Sequence, residues 1–314
     1  MPSLLHEFLS AALTDPGAPW SRDGLHAIAK LRVPDRLLGN MGDVLLGDAH
    51  RQWASWFLGT ICDVDVYARS GTTYPYIFAD VLARIRSTMT ELDRSEINQL
   101  AGQIAKLVHG EVRRRAGNRS RTPVDMTLRL QLVDYADGKP HCWVCGWRFQ
   151  QGAIDWFLDR SAEPPEAPAL IDVFKPIGLS PRHLRIEVDH VVPFSRGGAD
   201  TSENLRLCCG WCNVHKADRA SIYEVSGEAR VAKRPNSGRD LPQPFWVVRI
   251  LAMEAARGGL SPKDGELTVA LRNPKGAVNP TNLMAVTYES DPMGSARFQT
   301  FKEVSRLWQR AAPD

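Results

Sequence analysis

Residues 187–198 read Glu-Val-Asp-His-Val-Val-Pro-Phe-Ser-Arg-Gly-Gly, and Asn-Leu-Arg-Leu follows at 204–207. The segment 186–192 is apolar and β-branched enough for a strand, and the paired glycines permit a tight or left-handed turn. Residues 204–208 can return as a second strand, and 212–220 can form a helix. The pattern therefore predicts a ββα unit that is too small to be stable without a further constraint.

Two CxxC pairs frame this unit, Cys142 with Cys145 and Cys209 with Cys212. A two-residue gap lets both thiolates of a pair reach one ion, and four sulfurs complete a tetrahedral structural zinc site. Clustered thiols in a chain without a secretory signal favour metal binding over disulfides. Free buried thiols are the alternative interpretation. Cys208 adjoins Cys209 and could substitute for it, although the spacing to Cys212 favours Cys209.

The run from Asp189 to Lys216 resembles the HNH endonuclease family, in the branch that carries two CxxC pairs. The shared pattern is Asp-His-x-x-Pro-x-Ser-x-Gly-Gly, then Asn-Leu, then Cys-x-x-Cys-Asn-x-x-Lys, and the resemblance covers about 80 of the 314 residues. We therefore expect an α+β chain that is mostly α. Its ββα-metal nuclease core would be stapled by zinc, between an N-terminal helical region and a mixed C-terminal extension.

The resemblance also implies roles for three residues of the unit. His190 would be the general base, because a neutral imidazole can take a proton near pH 7. Asp189 points to the opposite face of the same strand and would bind the catalytic metal ion, which acts as a Lewis acid on the phosphate. Asn204 would brace the loop and fix the orientation of the His190 strand.

The second ligand of the catalytic ion is open between two residues. The family places His or Asn directly after the last cysteine, and that residue is Asn213 here. His215 is intrinsically the better ligand but lies about 200° further around a helix, so both cannot face one ion. Asn213 is the preferred ligand. Oxygen ligands from Asp189 and Asn213 favour Mg²⁺ or Mn²⁺.

Contacts with nucleic acid must come from local clusters of charge, because the net charge of the chain is only +3. Arg196 and Lys216 are the natural phosphate contacts of the centre. Five arginines also fall within nine residues: Arg113, Arg114, Arg115, Arg119 and Arg121. We expect this cluster to bind nucleic acid, and the alternative is a solvated helix end whose cations complement the helix dipole.

The chain outside the unit divides by composition into four predicted segments. These are a helical region of regulatory, recognition or partner-binding role (1–135), the nuclease domain (136–228), a linker or long loop (229–244) and an α/β extension that packs on the rest (245–314). A capping box of Asp93 and Glu96 predicts a helix over 94–115. The aromatic stretch 53–57, with Trp53, Trp56 and Phe57, is predicted to lie in the core.

The predicted function is metal-dependent endonuclease action on DNA, with double-stranded DNA as the expected substrate, in restriction or anti-phage defence. The alternative is a zinc-dependent nucleic-acid-binding or interaction module without catalysis. A protein partner would bind through the N-terminal helices. The sequence has no run of about 18 apolar residues and no secretory signal pattern, so we expect no membrane span and a cytoplasmic location.

Overall fold

The structure is a computed structural model, and it describes residues 2–13, 21–117, 123–135, 139–159, 165–227, 229–231 and 240–311. In these ranges the α-helices are Pro2–Leu13 (α1), Arg22–Ala29 (α2), Gly42–Ile61 (α3), Val64–Ser70 (α4), Tyr74–Thr88 (α5), Arg94–Gly117 (α6), Met126–Asp134 (α7), Gln151–Leu158 (α8), Gly210–Lys216 (α9), Pro244–Ala256 (α10) and Phe301–Ala311 (α11). The predicted α+β class, mostly α, is confirmed. Across the described ranges, every helix is too short or too polar to span a membrane.

The strands form four separate antiparallel ribbons rather than one sheet. They are Leu170–Asp172 (β1), Ile186–His190 (β2), Leu205–Cys209 (β3), Arg230–Val231 (β4), Asp240–Leu241 (β5), Leu267–Leu271 (β6), Leu283–Thr287 (β7) and Phe298–Thr300 (β8). β1 pairs with β8, β2 with β3, β4 with β5, and β6 with β7. The β2–β3 ribbon followed by α9 is the predicted ββα unit.

Helix α6 is the longest element of the N-terminal region, and its start is capped as expected. The carboxylate of Asp93 accepts a hydrogen bond from the Glu96 backbone N–H at 2.8 Å, while the Glu96 carboxylate accepts one from the Asp93 N–H at 2.9 Å. The helix packs against α5 and α4 around a small separate core. Ile77 and Val108 are fully buried there.

The aromatic side chains of α3 lie on the surface, so the prediction that they are core residues is wrong. Trp53, Trp56 and Phe57 are 58%, 60% and 45% exposed. The helix instead reaches two cores from its two ends. Leu45 packs in the large core near its N-terminus, and Leu58 packs against the small core near its C-terminus. The middle of α3 is left to present its aromatic face outward.

One large core joins the ββα unit to the C-terminal segment. Helix α10 runs through it, and Trp246, Val247 and Leu251 are almost completely buried against α9, β6 and β7. The same core reaches from Met41 to Val304. Because this core includes residues on both sides of positions 135, 228 and 244, it does not mark the predicted segment boundaries there. Those boundaries remain predictions.

The loop between β2 and β3 is held by one side-chain amide. Asn204 accepts a hydrogen bond from the Val192 N–H at 2.8 Å, and its amide N–H donates to the carbonyls of Val192 and Ala199 at 3.1 and 3.0 Å. Gly197 has φ +85°, and a Cβ on Gly198 would lie 1.8 Å from the Val192 carbonyl oxygen. The paired glycines are thus required by one left-handed turn and one close approach of backbones.

We expect Gly198→Ala to lower the free energy of unfolding by about 1–3 kcal/mol, because the added methyl group would force the Val192 carbonyl away from Asn204. Thermal unfolding followed by circular dichroism measures the change. Gly110→Ala is the matched control, since that helical glycine has open space around it and alanine favours a helix by up to about 1 kcal/mol. Equal melting of Gly198→Ala and the unmodified protein would contradict this account of the loop.

Candidate active site and metal centre

Four cysteine sulfurs converge in the core beside the ββα unit. The Sγ atoms of Cys142, Cys145, Cys209 and Cys212 all lie within 4.8 Å of one another, and all four residues are buried. A tetrahedral zinc ion with Zn–S bonds of about 2.3 Å holds its sulfurs about 3.8 Å apart. The cluster therefore has the size and the donor atoms of a closed, four-coordinate structural zinc site.

Each pair of cysteines is placed by a different local structure. Cys142 and Cys145 lie on a tight knuckle, where the Gly146 N–H donates to the Cys142 carbonyl at 2.8 Å and Gly146 has φ +69°. Cys209 ends β3 and Cys212 lies in the first turn of α9, with its backbone N–H donating to the Cys209 sulfur at 3.4 Å. The cluster thus ties a knuckle, a strand end and a helix start together.

The ionisation of these thiols shows what a metal would contribute. Burial raises the pKa of the Cys142 thiol, but hydrogen bonds from the neighbouring thiols outweigh it and hold that pKa well below its ordinary value. Burial raises the pKa values of Cys209 and Cys212 well above theirs. One thiolate is thus stabilised by protonated neighbours, and a bound cation is needed for all four to be thiolates.

A buried lysine lies beside this concentration of sulfur. Lys175 is 1% exposed, and its ammonium donates to the Leu267 carbonyl at 2.6 Å, while the Leu267 N–H donates to the Cys145 carbonyl at 2.7 Å. Burial lowers the pKa of Lys175, but negative charge at Cys145 and elsewhere nearby outweighs it and holds that pKa well above its ordinary value. A zinc tetrathiolate would carry a net charge of −2, and Lys175 would supply part of the compensating charge.

Cys208 is buried next to the four-sulfur cluster without belonging to it. Its Sγ lies 3.7 Å from that of Cys142, and within the described residues the convergent set contains Cys209 instead. Consecutive residues of a strand point to opposite faces, so Cys208 and Cys209 cannot both turn toward one centre in the same way.

Asp189 is buried and already bonded on both oxygens. One oxygen accepts a hydrogen bond from the Lys216 ammonium at 3.0 Å, and the other accepts one from the indole N–H of Trp143 at 3.0 Å. Lys216 also donates to the His190 carbonyl at 2.6 Å. Burial raises the pKa of Asp189, while Lys216 opposes that rise. A cation therefore faces this carboxylate from helix α9.

The two predicted phosphate contacts of the centre are bonded within the protein. Lys216 is 7% exposed and faces Asp189 rather than the surface. Arg196 donates to the Asp218 carbonyl and pairs with the Glu224 carboxylate at 2.8 Å. The structure thus shows intramolecular partners at both positions. Lys216 has its partner because it lies on the face of α9 that packs toward β2.

Asn213 and His215 lie on opposite sides of α9. The amide of Asn213 donates to the Glu187 carboxylate, and Glu187 precedes Asp189 by two residues on the same face of β2. The His215 ring instead packs against Trp211, with ring centroids 4.9 Å apart. Burial lowers the pKa of His215 to about 3, so this imidazole is neutral near pH 7. Asn213 therefore shares its face with the carboxylates of β2, and His215 does not.

The imidazole of His190 is oriented by a carboxylate from the braced loop. Its Nε2 lies 2.6 Å from an oxygen of Asp200, and its ring meets the edge of Phe194 at 5.7 Å. The side chains of His190 and Asp200 are 15% and 14% exposed. Asn204 holds this loop, as described above. The structure thus brings His190 and Asn204 into one arrangement with Asp200.

Three residues of the centre are not predicted from the sequence. Glu187 was visible in the motif next to Asp189 but had no role, and Trp143 stood inside the first CxxC pair. Asp200 gave no signal, because a single acidic residue in a glycine-containing loop is ordinary. Each becomes recognisable only through its contact with Asn213, Asp189 or His190, respectively.

The C-terminal end of α6 lies against the same loop. A Cβ on Gly197 would be 3.0 Å from the Cβ of Arg114. Arg114 pairs with Glu111, and Arg115 pairs with Asp65 at 2.6 Å and with Glu111. Arg113 is exposed. The other two members of the predicted cluster, Arg119 and Arg121, lie outside the described residues.

We expect Cys209→Ser to abolish stoichiometric zinc binding and Cys208→Ser to retain it, since only Cys209 shares the four-sulfur geometry. Metal content by plasma mass spectrometry after gel filtration measures both. Cys62→Ser is the control, because this buried cysteine lies in the small core. Loss of zinc from Cys208→Ser with retention in Cys209→Ser would reverse the assignment.

Comparison with known proteins supports the family suggested by the motif. Residues 179–219 match the family model described as HNH endonuclease. Searches of curated proteins and of solved structures gave no match. The matched segment contains β2, the braced loop, β3 and α9. Residues 179–219 are therefore similar to the HNH endonuclease domain, and the four clustered cysteines suggest its branch with two CxxC pairs.

Proposed function

We propose that the chain is a metal-dependent endonuclease that hydrolyses phosphodiester bonds in double-stranded DNA. The observation that carries the proposal is the His190–Asp200 pair at the end of β2, next to the buried Asp189, within a segment that matches a nuclease family. The family match supports nuclease chemistry, while the DNA substrate is our own inference.

His190 is proposed as the general base. When Nε2–H donates to Asp200, the imidazole is held in the tautomer whose Nδ1 is an acceptor. A water molecule attacking phosphorus can then pass its proton to Nδ1. Asp200 acts as a positioning residue, because it selects the tautomer and stabilises the imidazolium that forms. Asn204 supports both by fixing the loop.

The catalytic ion is proposed to bind on the face of β2 that meets α9. Asp189 and Asn213 would hold it, and Glu187 lies on the same face; these oxygen donors suit Mg²⁺ or Mn²⁺. When bound, the ion supplies Lewis-acid stabilisation of the phosphate charge. In the structure the Lys216 ammonium occupies the position next to Asp189. A divalent ion would bind there by displacing this ammonium, so that one cation takes the place of another.

A second candidate is a zinc-dependent nucleic-acid-binding module without catalysis. It is favoured by the bonding of Asp189 to Lys216 and Trp143, and of Asn213 to Glu187, since these contacts also serve a purely structural network. Both candidates share the structural zinc and the nucleic-acid ligand. They differ in whether His190 transfers a proton.

The flanking regions suggest the wider role. The N-terminal helices would recognise the substrate or a protein partner, and the exposed aromatic face of α3 supports the latter. Restriction or anti-phage defence in the cytoplasm is the proposed setting, on the likeness to HNH nucleases used in such systems.

We expect His190→Ala to reduce cleavage of supercoiled plasmid by about 10²-fold or more, because a positioned general base typically contributes 10²–10⁴-fold. Asp200→Asn should also slow cleavage, since an amide donor favours the wrong tautomer of His190. Plasmid, single-stranded DNA and RNA are incubated with Mg²⁺, Mn²⁺ or Ni²⁺, and products are resolved on gels. His26→Ala, at an exposed histidine of α2, is the control.

Zinc content and melting temperature are measured for each variant, so that loss of folding is separated from loss of chemistry. Unchanged cutting by His190→Ala would refute its assignment as the base. Failure of the unmodified protein to cut any substrate with any of these ions would favour the binding module.

A further inference from the structure

A cleft of about 790 Å³ opens beside the candidate active site. Its walls come from the end of α7, the knuckle that carries Cys142 and Cys145, strand β3 and the segment before β6. Ligand pockets in proteins measure about 300–1,000 Å³, so the cleft has room for a nucleotide but not for a duplex.

The lining is strongly basic in a chain of nearly balanced charge. It carries four lysines and arginines against one carboxylate: Lys139, Arg148, Arg206 and Lys263 against Asp134. The whole chain has a net charge of only +3. One further carboxylate, Glu266, stands close by and accepts a hydrogen bond from the Arg148 backbone N–H at 3.0 Å. The excess of positive charge at this cleft fits the phosphates of a nucleic acid.

Two aromatic rings stand among these charges. Tyr135 is 74% exposed. The Arg206 guanidinium lies 5.3 Å from the centre of its ring. Trp143 is the second ring; it is half-buried and also lines the cleft. Proteins stack unpaired bases on exposed aromatic rings that stand among cations, and Tyr135 is such a ring.

The cleft also contacts the candidate active site directly. Trp143 donates its indole N–H to Asp189 at 3.0 Å, so one ring lines the cleft and bonds the proposed metal ligand. Arg206 lies directly opposite Asp189 in the β2–β3 register, which places their side chains on the same face of the ribbon. A strand seated in the cleft would thus continue toward Asp189.

We propose that this cleft binds one unpaired nucleotide of the DNA strand that is cut, either extruded from a duplex or in a single-stranded stretch. The base stacks on Tyr135, and Lys139, Arg148 and Lys263 contact the adjoining phosphates. The proposal rests on the proposed function, since it names the part of the substrate that the nuclease holds. It also supplies a recognition element that the HNH motif itself lacks.

The test measures DNA binding without cleavage, in buffer with no added divalent ion. The probes are fluorescein-labelled dT12, a blunt 20-base-pair duplex and the same duplex with one bulged thymidine, followed by fluorescence anisotropy. Tyr135→Ala removes the stacking ring and Tyr135→Phe keeps it. Tyr76→Ala is the matched control, because Tyr76 is 70% exposed on α5, away from the cleft.

We expect Tyr135→Ala to weaken binding of dT12 and of the bulged duplex about tenfold or more, with little effect on the blunt duplex. Tyr135→Phe and Tyr76→Ala should bind all three probes like the unmodified protein. Lys263→Ala should weaken dT12 binding and reduce its salt dependence by about one phosphate contact. Lys106→Ala, an exposed lysine of α6, is the control for that change.

The proposal is overturned if Tyr135→Ala binds dT12 as the unmodified protein does, or if it weakens all three probes equally. Its failure is distinguishable from failure of the nuclease assignment. If binding depends on Tyr135 but the protein cuts no substrate, the cleft proposal stands and the nuclease assignment fails. If cutting depends on His190 but binding does not depend on Tyr135, the nuclease assignment stands and the cleft proposal fails.

Discussion

The convergence of four cysteine sulfurs is the constraint on which the rest of the structure depends. It joins the knuckle of Cys142 and Cys145 to the end of β3 and the start of α9. The ββα unit has only two five-residue strands and a seven-residue helix. Elements this short bury little apolar surface by themselves, so a metal that binds only the folded form is a direct source of stability.

The four-cysteine cluster also helps to position the proposed metal ligand Asp189. Trp143 lies between the two cysteines of the knuckle, and its indole reaches Asp189 on β2. Its backbone N–H donates to the Leu207 carbonyl of β3 at 3.0 Å, so the knuckle extends the ribbon. The four-cysteine cluster, the Asp189 carboxylate and the basic cleft are therefore adjacent and share the Trp143 side chain or its knuckle. A displacement of the knuckle would therefore disturb both the proposed metal ligand Asp189 and the cleft.

The local structure of the centre could be predicted from the sequence, because it depends on the spacing of residues that are close together in the chain. The strand over β2, its returning partner and the following helix follow from β-branched residues, paired glycines and cysteine spacing. The capping box of Asp93 likewise lies within four residues. Contacts between distant segments had no such signal. Trp143 and Asp189 are 46 positions apart, and their pairing depends on the fold of everything between them.

The exposed and buried states of individual side chains were the least predictable features. Lys216 has the sequence context of a phosphate contact, yet it lies on the face of α9 that packs toward β2, so its ammonium meets Asp189. Trp53 and Trp56 have the composition of core residues, but α3 bridges two cores and leaves its middle outside. Both outcomes are set by the packing of whole elements, which no local pattern records.

X-ray absorption spectroscopy at the zinc edge of the purified protein tests the central claim most directly. The account expects one zinc ion per chain with a shell of four sulfurs at about 2.3 Å and no nitrogen or oxygen neighbour at about 2.0 Å. A shell that mixes histidine or carboxylate ligands with sulfur, or a folded protein that carries no zinc, would contradict it.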